Sequence, residues 1–424
     1  MARNHKPENL KKLSQIQTKN NFKIDLANYL YNASYNHDYP SLIKITNETE
    51  TEKQYNTFFL RRHSMKKIRV GIIGQGRSGY FIHACSLKQL KSKFQVVAVS
   101  DPLEGRCDDA VKDFGCKAFT DYRKIFSLKK EIDLIVNASP SHLHVPISQE
   151  ALNAGFNVLC EKPAASNPKD IDMLIALSKK KKRMYAVYQQ SRFAPYYEAL
   201  NKVLDSGVLG RIVMIKVAFN GFTRRWDWQS LQEYDGGSLL NTGPHPMDQV
   251  LMLFDPDAKV MPKVFCLMDI VNSYGNAEDH VKIILHGKGK PTIDFEVSSC
   301  APYPLYTYQV FAEYGGLTGT MKNIEWKYLK PSEFASRSLV KEPLEGRIYC
   351  GEQFKWHTGS WKASKAQEDS FSYMSKKIYN NIYDVLNKKK GATLVVTPEQ
   401  VRRQIAVIAE CHKQAPLPKR KKKR

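Results

Sequence analysis

Two short clusters in the 424-residue chain carry side chains able to hold or move a proton. The first is Glu161-Lys162-Pro163, directly after an apolar strand segment. A lysine held there can donate a hydrogen bond to a hydroxyl, and it sheds its charge if it loses water. Most lysines are surface residues, so it is the position at a strand's carboxyl end, followed by a chain-fixing proline, that singles this one out. The second cluster runs Gly236-Gly237-Ser238-Leu239-Leu240-Asn241-Thr242-Gly243-Pro244-His245-Pro246-Met247-Asp248. His245 stands between two prolines and ahead of an apolar run, which predicts the first turn of a helix. An imidazole near a helix N-terminus is pushed toward its neutral form, and this suits a proton acceptor. An isolated histidine would more simply be packed structure. Here Asn241 and Asp248 flank it at offsets compatible with one polar cluster.

A third stretch binds rather than reacts. Ile68, Val70, Ile72 and Ile73 predict a strand that ends in Gly74-Gln75-Gly76-Arg77-Ser78-Gly79. Gly74 serves the sharp turn, Gly76 lets the backbone approach a pyrophosphate, and Gly79 allows close packing of helix on strand. The helix expected from about Ser78 points free N–H groups and the positive end of its dipole at that pyrophosphate. Asp101 ends the next strand 22 residues past Gly79, where an acid that accepts bonds from an adenine ribose should fall. Such an acid repels a 2′-phosphate and favours NAD, while Arg106 could offset the repulsion and leaves NADP possible. A lone Gly-x-Gly-x-x-Gly is a weak signal; the strand, helix and acid around this one make it specific.

The elements needed to position these residues follow from the apolar pattern. Strands are expected at 68–73, 94–100, 117–120, 132–138, 157–160 and 184–189, alternating with helices as in a parallel sheet covered on both faces. Ligands of such sheets sit at the carboxyl ends of the strands. Ser139, Pro140, His142 and His144 in one segment, and Glu161 and Lys162 in another, are therefore expected beside the cofactor, with Gly74, Gly76, Arg77, Ser78, Gly79, Asp101 and Arg106. Beyond about Phe193, β-rich runs at 213–222, 264–271, 281–285, 293–297 and 306–312, with glycine turns at Gly287-Lys288-Gly289 and Gly315-Gly316, predict a largely antiparallel sheet. Its open face suggests a homo-oligomer, a dimer or tetramer. Helices are expected over 368–386 and from Thr397-Pro398-Glu399-Gln400, where an N-cap threonine, a first-turn proline and a glutamine three residues after the cap coincide. The fold class is thus α/β, a Rossmann doubly wound sheet plus a C-terminal α/β domain with a large open sheet. The expected division is a poorly structured extension over 1–64, a Rossmann domain over 65–190, a substrate and oligomerisation domain over 191–412 whose last helices pack back, and a basic tail over 413–424.

Composition narrows the alternatives. A chain this long exceeds one ordinary hydrophobic core. Its 42% apolar and 11% aromatic content is that of a globular protein. No apolar run reaches eighteen residues and no leader-like segment opens the chain, so the cytoplasm is the simplest location. The eight cysteines are scattered without Cys-x-x-Cys spacing, and neither disulfides nor a metal site are expected. The net charge of +23 lies about half in the two ends, including the unbroken run from Lys419 to Arg424. Without a recognition fold, that charge reads as solvated tails rather than a nucleic-acid surface.

Taken together, the motifs resemble the Gfo/Idh/MocA family, relatives of glucose-fructose oxidoreductase and myo-inositol dehydrogenase. The resemblance covers about Lys66 to Cys411. It rests on the glycine turn, Ala138-Ser139-Pro140-Ser141-His142-Leu143-His144, Glu161-Lys162-Pro163, Arg192-Phe193 and the Gly-Gly to His245 to Asp248 segment, in that order. It implies oxidation of a sugar or cyclitol hydroxyl by hydride transfer to NAD or NADP. Lys162 and His245 would grip the reacting hydroxyl, with His245 as general base. Arg192 and the Arg225-Trp226-Asp227-Trp228-Gln229 segment would border the substrate, where the face of Trp228 suits sugar C–H surfaces and would serve packing equally well. The family usually carries an aspartate where this chain has Asn241, and an amide supplies no charge to stabilise an imidazolium; either His245 works without it, Lys162 takes the proton, or the reaction differs. Asn241 can still orient a substrate by hydrogen bonds. Two other readings remain: a glycosidase that uses tightly held NAD to oxidise, eliminate and reduce in one turnover, and a non-catalytic cofactor-bound regulator.

Overall fold

The computed structural model describes residues 65–346 and 349–418. The extension expected over 1–64 and the run from Lys419 to Arg424 lie outside the described residues. β1 (Ile68–Ile73), β2 (Phe94–Ser100), β3 (Lys117–Phe119), β4 (Leu134–Asn137), β5 (Asn157–Cys160) and β6 (Tyr185–Val187) form one all-parallel sheet in the order β3-β2-β1-β4-β5-β6. Its central strands are apolar on both faces because helices cover both: Val70, Ile72, Leu134, Ile135 and Val136 are completely buried. Each such side chain contributes about 1.5–3 kcal/mol on leaving water. The order reverses at β1 and β4, so their carboxyl ends open a crevice. Gly74, Ala138 and Ser139 stand there.

β7 (Ile212–Asn220), β8 (Lys263–Asp269), β9 (His280–His286), β10 (Thr292–Ser298), β11 (Tyr308–Ala312), β12 (Gly315–Gly319), β13 (Asn323–Tyr328) and β14 (His357–Lys362) build the second sheet. Its order is β14-β13-β12-β11-β7-β10-β9-β8, antiparallel except where β7 meets β10. Three of these strands escaped the apolar pattern. Gly315-Gly316, expected as a turn, is the start of β12, and a Cβ on Gly315 would run into the carbonyl of Lys327 on β13. Strand glycines of this kind permit a close backbone approach and look like turn residues in one dimension.

Two late helices cross back to the first sheet. The Ser370–Leu386 helix buries Ile378, Tyr379, Ile382 and Tyr383 in the same cluster as Val70, Ile72 and Phe94. The Pro398–Gln414 helix is opened by Thr397 and Gln400 in a reciprocal capping box, with Pro398 first in the helix. It packs on the Pro168–Lys181 helix and on β8. Among the described residues no helix is long and apolar enough to cross a membrane.

Candidate functional site

At the carboxyl ends of the parallel strands lies a cleft of about 340 Å³. A larger depression of about 750 Å³ lies on the second sheet among Phe311, Trp326 and Thr358, but it gathers only Glu325 and Lys327 as charged groups. The smaller cleft is where titratable groups converge.

Its first wall is the glycine turn. Gly74 has φ +91°, and a Cβ there would overlap the Ala138 carbonyl. A Cβ on Gly79 would overlap the Gly74 carbonyl, so only glycine lets the following helix sit this close to β1. Gly76 differs, because a Cβ there would meet only Arg106 Nη1 at 3.8 Å. The space over Gly76 is therefore open, as a pyrophosphate approaching the backbone would need. A π-helical turn at Ser78–Ala84 runs on into the Cys85–Gln89 helix, and its N-terminus faces this space. Asp101 is buried; its carboxylate accepts from the amides of Gln75 at 2.8 Å and Leu103 at 3.0 Å, with Arg106 Nη1 at 3.4 Å. This cradle fits a dinucleotide.

The loop after β4 forms the next wall. Ser139 and Pro140 line it, and His144 braces it by bridging the Ser139 carbonyl at 2.8 Å and the Pro163 carbonyl at 2.7 Å. Glu161 and Lys162 follow β5 into the cleft. Burial alone would raise the Glu161 carboxyl, yet the hydrogen bond from His83, the His83 and Lys162 charges and the Lys162 amide hold it down at about 2. Lys162 Nζ donates to the Asn241 carbonyl at 2.8 Å. Desolvation lowers its pKa; Glu161 opposes that, and Arg77 and Arg225 reinforce it.

The third wall is the Ser238–Asn241 turn and the Pro244–Phe254 helix, with His245 in that helix's first turn. Glu278, buried and with its carboxyl pushed up to about 7 mainly by desolvation, accepts from the Leu239 amide and steadies the turn. His245 Nδ1 is buried without a partner. Burial, then the Lys162 charge, drive the imidazole down to about 3. It is neutral throughout the physiological range.

The structure thus gathers Gly74, Gly76, Arg77, Ser78, Asp101, Arg106, Ser139, Pro140, His144, Glu161, Lys162, Trp228, Asn241 and His245 around one cleft. Five residues singled out in the sequence lie elsewhere. Gly79 acts from behind, through packing. His142 packs edge-on to Tyr234 at 4.7 Å rather than lining the cleft. Arg192, expected beside the substrate, is instead locked to Asp248 through two bonds of 2.8 and 2.6 Å, in a pair whose side chains are 9% and 2% exposed. Asp248 accordingly belongs to that pair and not to the His245 cluster. Trp226 is 82% exposed and absent from the lining, whereas Trp228 lines the cleft. Gln190 and Phe371 also line it and were not anticipated. Gln190 follows β6 and obeys the strand-end rule; Phe371 arrives on the Ser370–Leu386 helix and carries no local signal.

Residues 68–189 match the family model described as Gfo/Idh/MocA, oxidoreductase family, NAD-binding Rossmann fold, and residues 197–318 match the GFO/IDH/MocA C-terminal domain. An uncharacterised oxidoreductase of Schizosaccharomyces pombe is 28% identical over 228 residues, 52% of this chain and 60% of the relative. Inositol 2-dehydrogenase 4 of Saccharopolyspora erythraea is 32% identical over 157 residues, 37% of this chain and 46% of the relative. The matches to these curated relatives span about half to three fifths of their length. Among solved structures, the WlbA dehydrogenase of Bordetella pertussis in complex with NADH and UDP-GlcNAcA superposes with a TM-score of 0.67 at 20% identity, covering 82% of this chain and 96% of that one.

Proposed function

The chain belongs to the Gfo/Idh/MocA oxidoreductase family, and on that premise we propose that it is an NAD(P)-dependent dehydrogenase of a sugar or cyclitol secondary alcohol. The observation that carries this reading is the convergence of Lys162, Asn241 and His245 on the cleft that also holds the glycine cradle. Bound nicotinamide would supply the hydride chemistry; the protein must hold the alcohol and manage its proton. Lys162 is the group we assign to that proton. An imidazole at about 3 is too weak a base to take it near neutrality, whereas burial lowers Lys162 from its ordinary value, in the direction that lets an amine accept a proton. His245 then acts as a neutral hydrogen-bond partner that fixes the oxygen, and Asn241 orients the substrate. Asp101 favours NAD. The division into a cofactor domain and a sheet domain, with the last helices packing back, is part of the same proposal. So is a homo-oligomer formed through the second sheet, where Val213, Phe265, Leu267 and Phe311 are exposed.

The test is a panel of pyranoses, inositols and sugar acids with NAD and NADP, followed by the absorbance of reduced cofactor. At least one alcohol should be oxidised with net formation of NADH, and His245→Ala should lower kcat/KM about 10- to 100-fold. No net reduced cofactor with any alcohol would overturn the reading, and release of a sugar from a glycoside in that absence would favour the glycosidase.

A further inference from the structure

Beneath the cleft floor three distant stretches of chain meet in a buried polar file. His83, in the π-helical turn, is fully buried. Its Nε2 is 3.1 Å from Glu161 Oε1, and its Nδ1 is 2.7 Å from the Tyr379 hydroxyl on the Ser370–Leu386 helix. A carboxylate only accepts, so Nε2 carries a proton and donates to Glu161, while Nδ1 meets the Tyr379 hydroxyl. The ring also lies edge-on to Tyr188 at 4.5 Å, and the Tyr188 hydroxyl donates to Ser375 of the same late helix at 2.7 Å. The other Glu161 oxygen accepts from the Lys162 amide at 2.9 Å.

This file sits among Phe94, Ile378 and Ile382, where apolar side chains would pack at less cost than an ionised acid with its donors. It leads to one place, the base of Lys162. The other charges acting on that ammonium, Arg77 and Arg225, both disfavour it, and neutral His245 does nothing to offset them. Glu161 is the single acid among the groups that set the Lys162 charge. His144, on the neighbouring helix, is committed to its two carbonyls.

We propose that His83, oriented by Tyr379, is a positioning residue that holds Glu161 as a carboxylate and thereby sets the charge of Lys162, so that a helix near the end of the chain tunes the proton-handling group of the cleft. The assignment rests on the dehydrogenase reading only for the use made of Lys162.

The test reads the lysine directly, without substrate. The full chain is labelled in its lysine side chains, and Lys162 is titrated by NMR after its signal is assigned by its loss in Lys162→Met. In Glu161→Gln the midpoint should move down by about one pH unit or more, because the opposing charge is gone. In His83→Leu it should move down as well, because a buried Glu161 left with the Lys162 amide as its one donor takes a proton more readily. Tyr379→Phe, which removes one oxygen and keeps the ring, should give a smaller shift in the same direction and decides the matter if His83→Leu does not fold. A midpoint unmoved in folded Glu161→Gln, or unmoved in Tyr379→Phe and in any folded His83→Leu, overturns the proposal, as does a lowered Tm with an unchanged midpoint. Absence of any alcohol substrate would sink the dehydrogenase reading and leave this titration intact.

Discussion

The two polar corners of the cleft are built on opposite terms. Around Lys162 the charges are opposed and partnered: Glu161 uses both carboxylate oxygens, His83 uses both ring nitrogens, and Nζ has an acceptor. Around His245 the reverse holds. Its Nδ1 is buried without a partner, and the residue four positions earlier is an amide. Burial and the Lys162 charge keep the ring neutral, and the amide at 241 supplies no carboxylate to offset them. The contrast teaches that one corner is arranged to hold or release a charge and the other to stay uncharged. Substitutions that equalise the corners should therefore show most clearly which does the chemistry.

The largest effect is expected at the charged corner. Lys162→Met removes the group that exchanges the proton and keeps the side-chain length, so kcat should fall by about 10³-fold or more, roughly 4 kcal/mol of barrier, with the fold intact. Steady-state rates beside NADH-binding fluorescence check this. If kcat falls less in Lys162→Met than in His245→Ala, the roles of the two corners are reversed.

Next comes a position that resembles the charged corner in sequence and differs in kind. Arg192 and Asp248 face each other and not the cleft. Arg192→Met leaves Asp248 buried and unpaired, so unfolding free energy should drop by about 3–5 kcal/mol while KM stays within about threefold in folded protein. Urea denaturation and KM measured together decide it. A large rise in KM without loss of stability would return Arg192 to the substrate.

These cases mark how far the sequence can be read. The glycine turn was legible because its three glycines fall within six residues and its acid ends the next strand. The inner parallel strands β1, β4, β5 and β6 were legible because burial on both faces leaves continuous apolar runs. The capping box at Thr397 was legible for the same local reason. Arg192 was not, since an arginine near a strand end looks alike whether it meets a ligand or an aspartate 56 residues away. His83 and Tyr379 are 296 residues apart, beyond any periodicity. β12 and β14 were missed because glycines and polar residues thin out the apolar density that marks a strand, whereas β13, Asn-Ile-Glu-Trp-Lys-Tyr, alternates and could have been read. What lies within one supersecondary unit is readable; what depends on a late helix crossing back is not.

The smallest effect is the most discriminating, because it converts one corner into the other. Asn241→Asp places a carboxylate beside His245 and should raise its folded pKa from about 3 toward its ordinary value near 6.5. In the parent the unfolded chain binds a proton at this histidine near pH 6.5 and the folded chain does not until about pH 3. The unfolded state therefore holds more protons between those values, and this group costs stability progressively as pH falls through that window, by up to about 1.4 kcal/mol per pH unit. In Asn241→Asp the folded state takes the proton too, so the dependence between about pH 4.5 and 6.5 should flatten. Urea unfolding at several pH values reads the slope, and kcat at neutral pH should change by less than about tenfold, since Lys162 still handles the proton. An unchanged slope would mean that residue 241 does not act on the imidazole. A kcat that rises far beyond tenfold would mean that His245, once supported, is the better base, and that the neutral corner of this chain is a weakened version of a charged one.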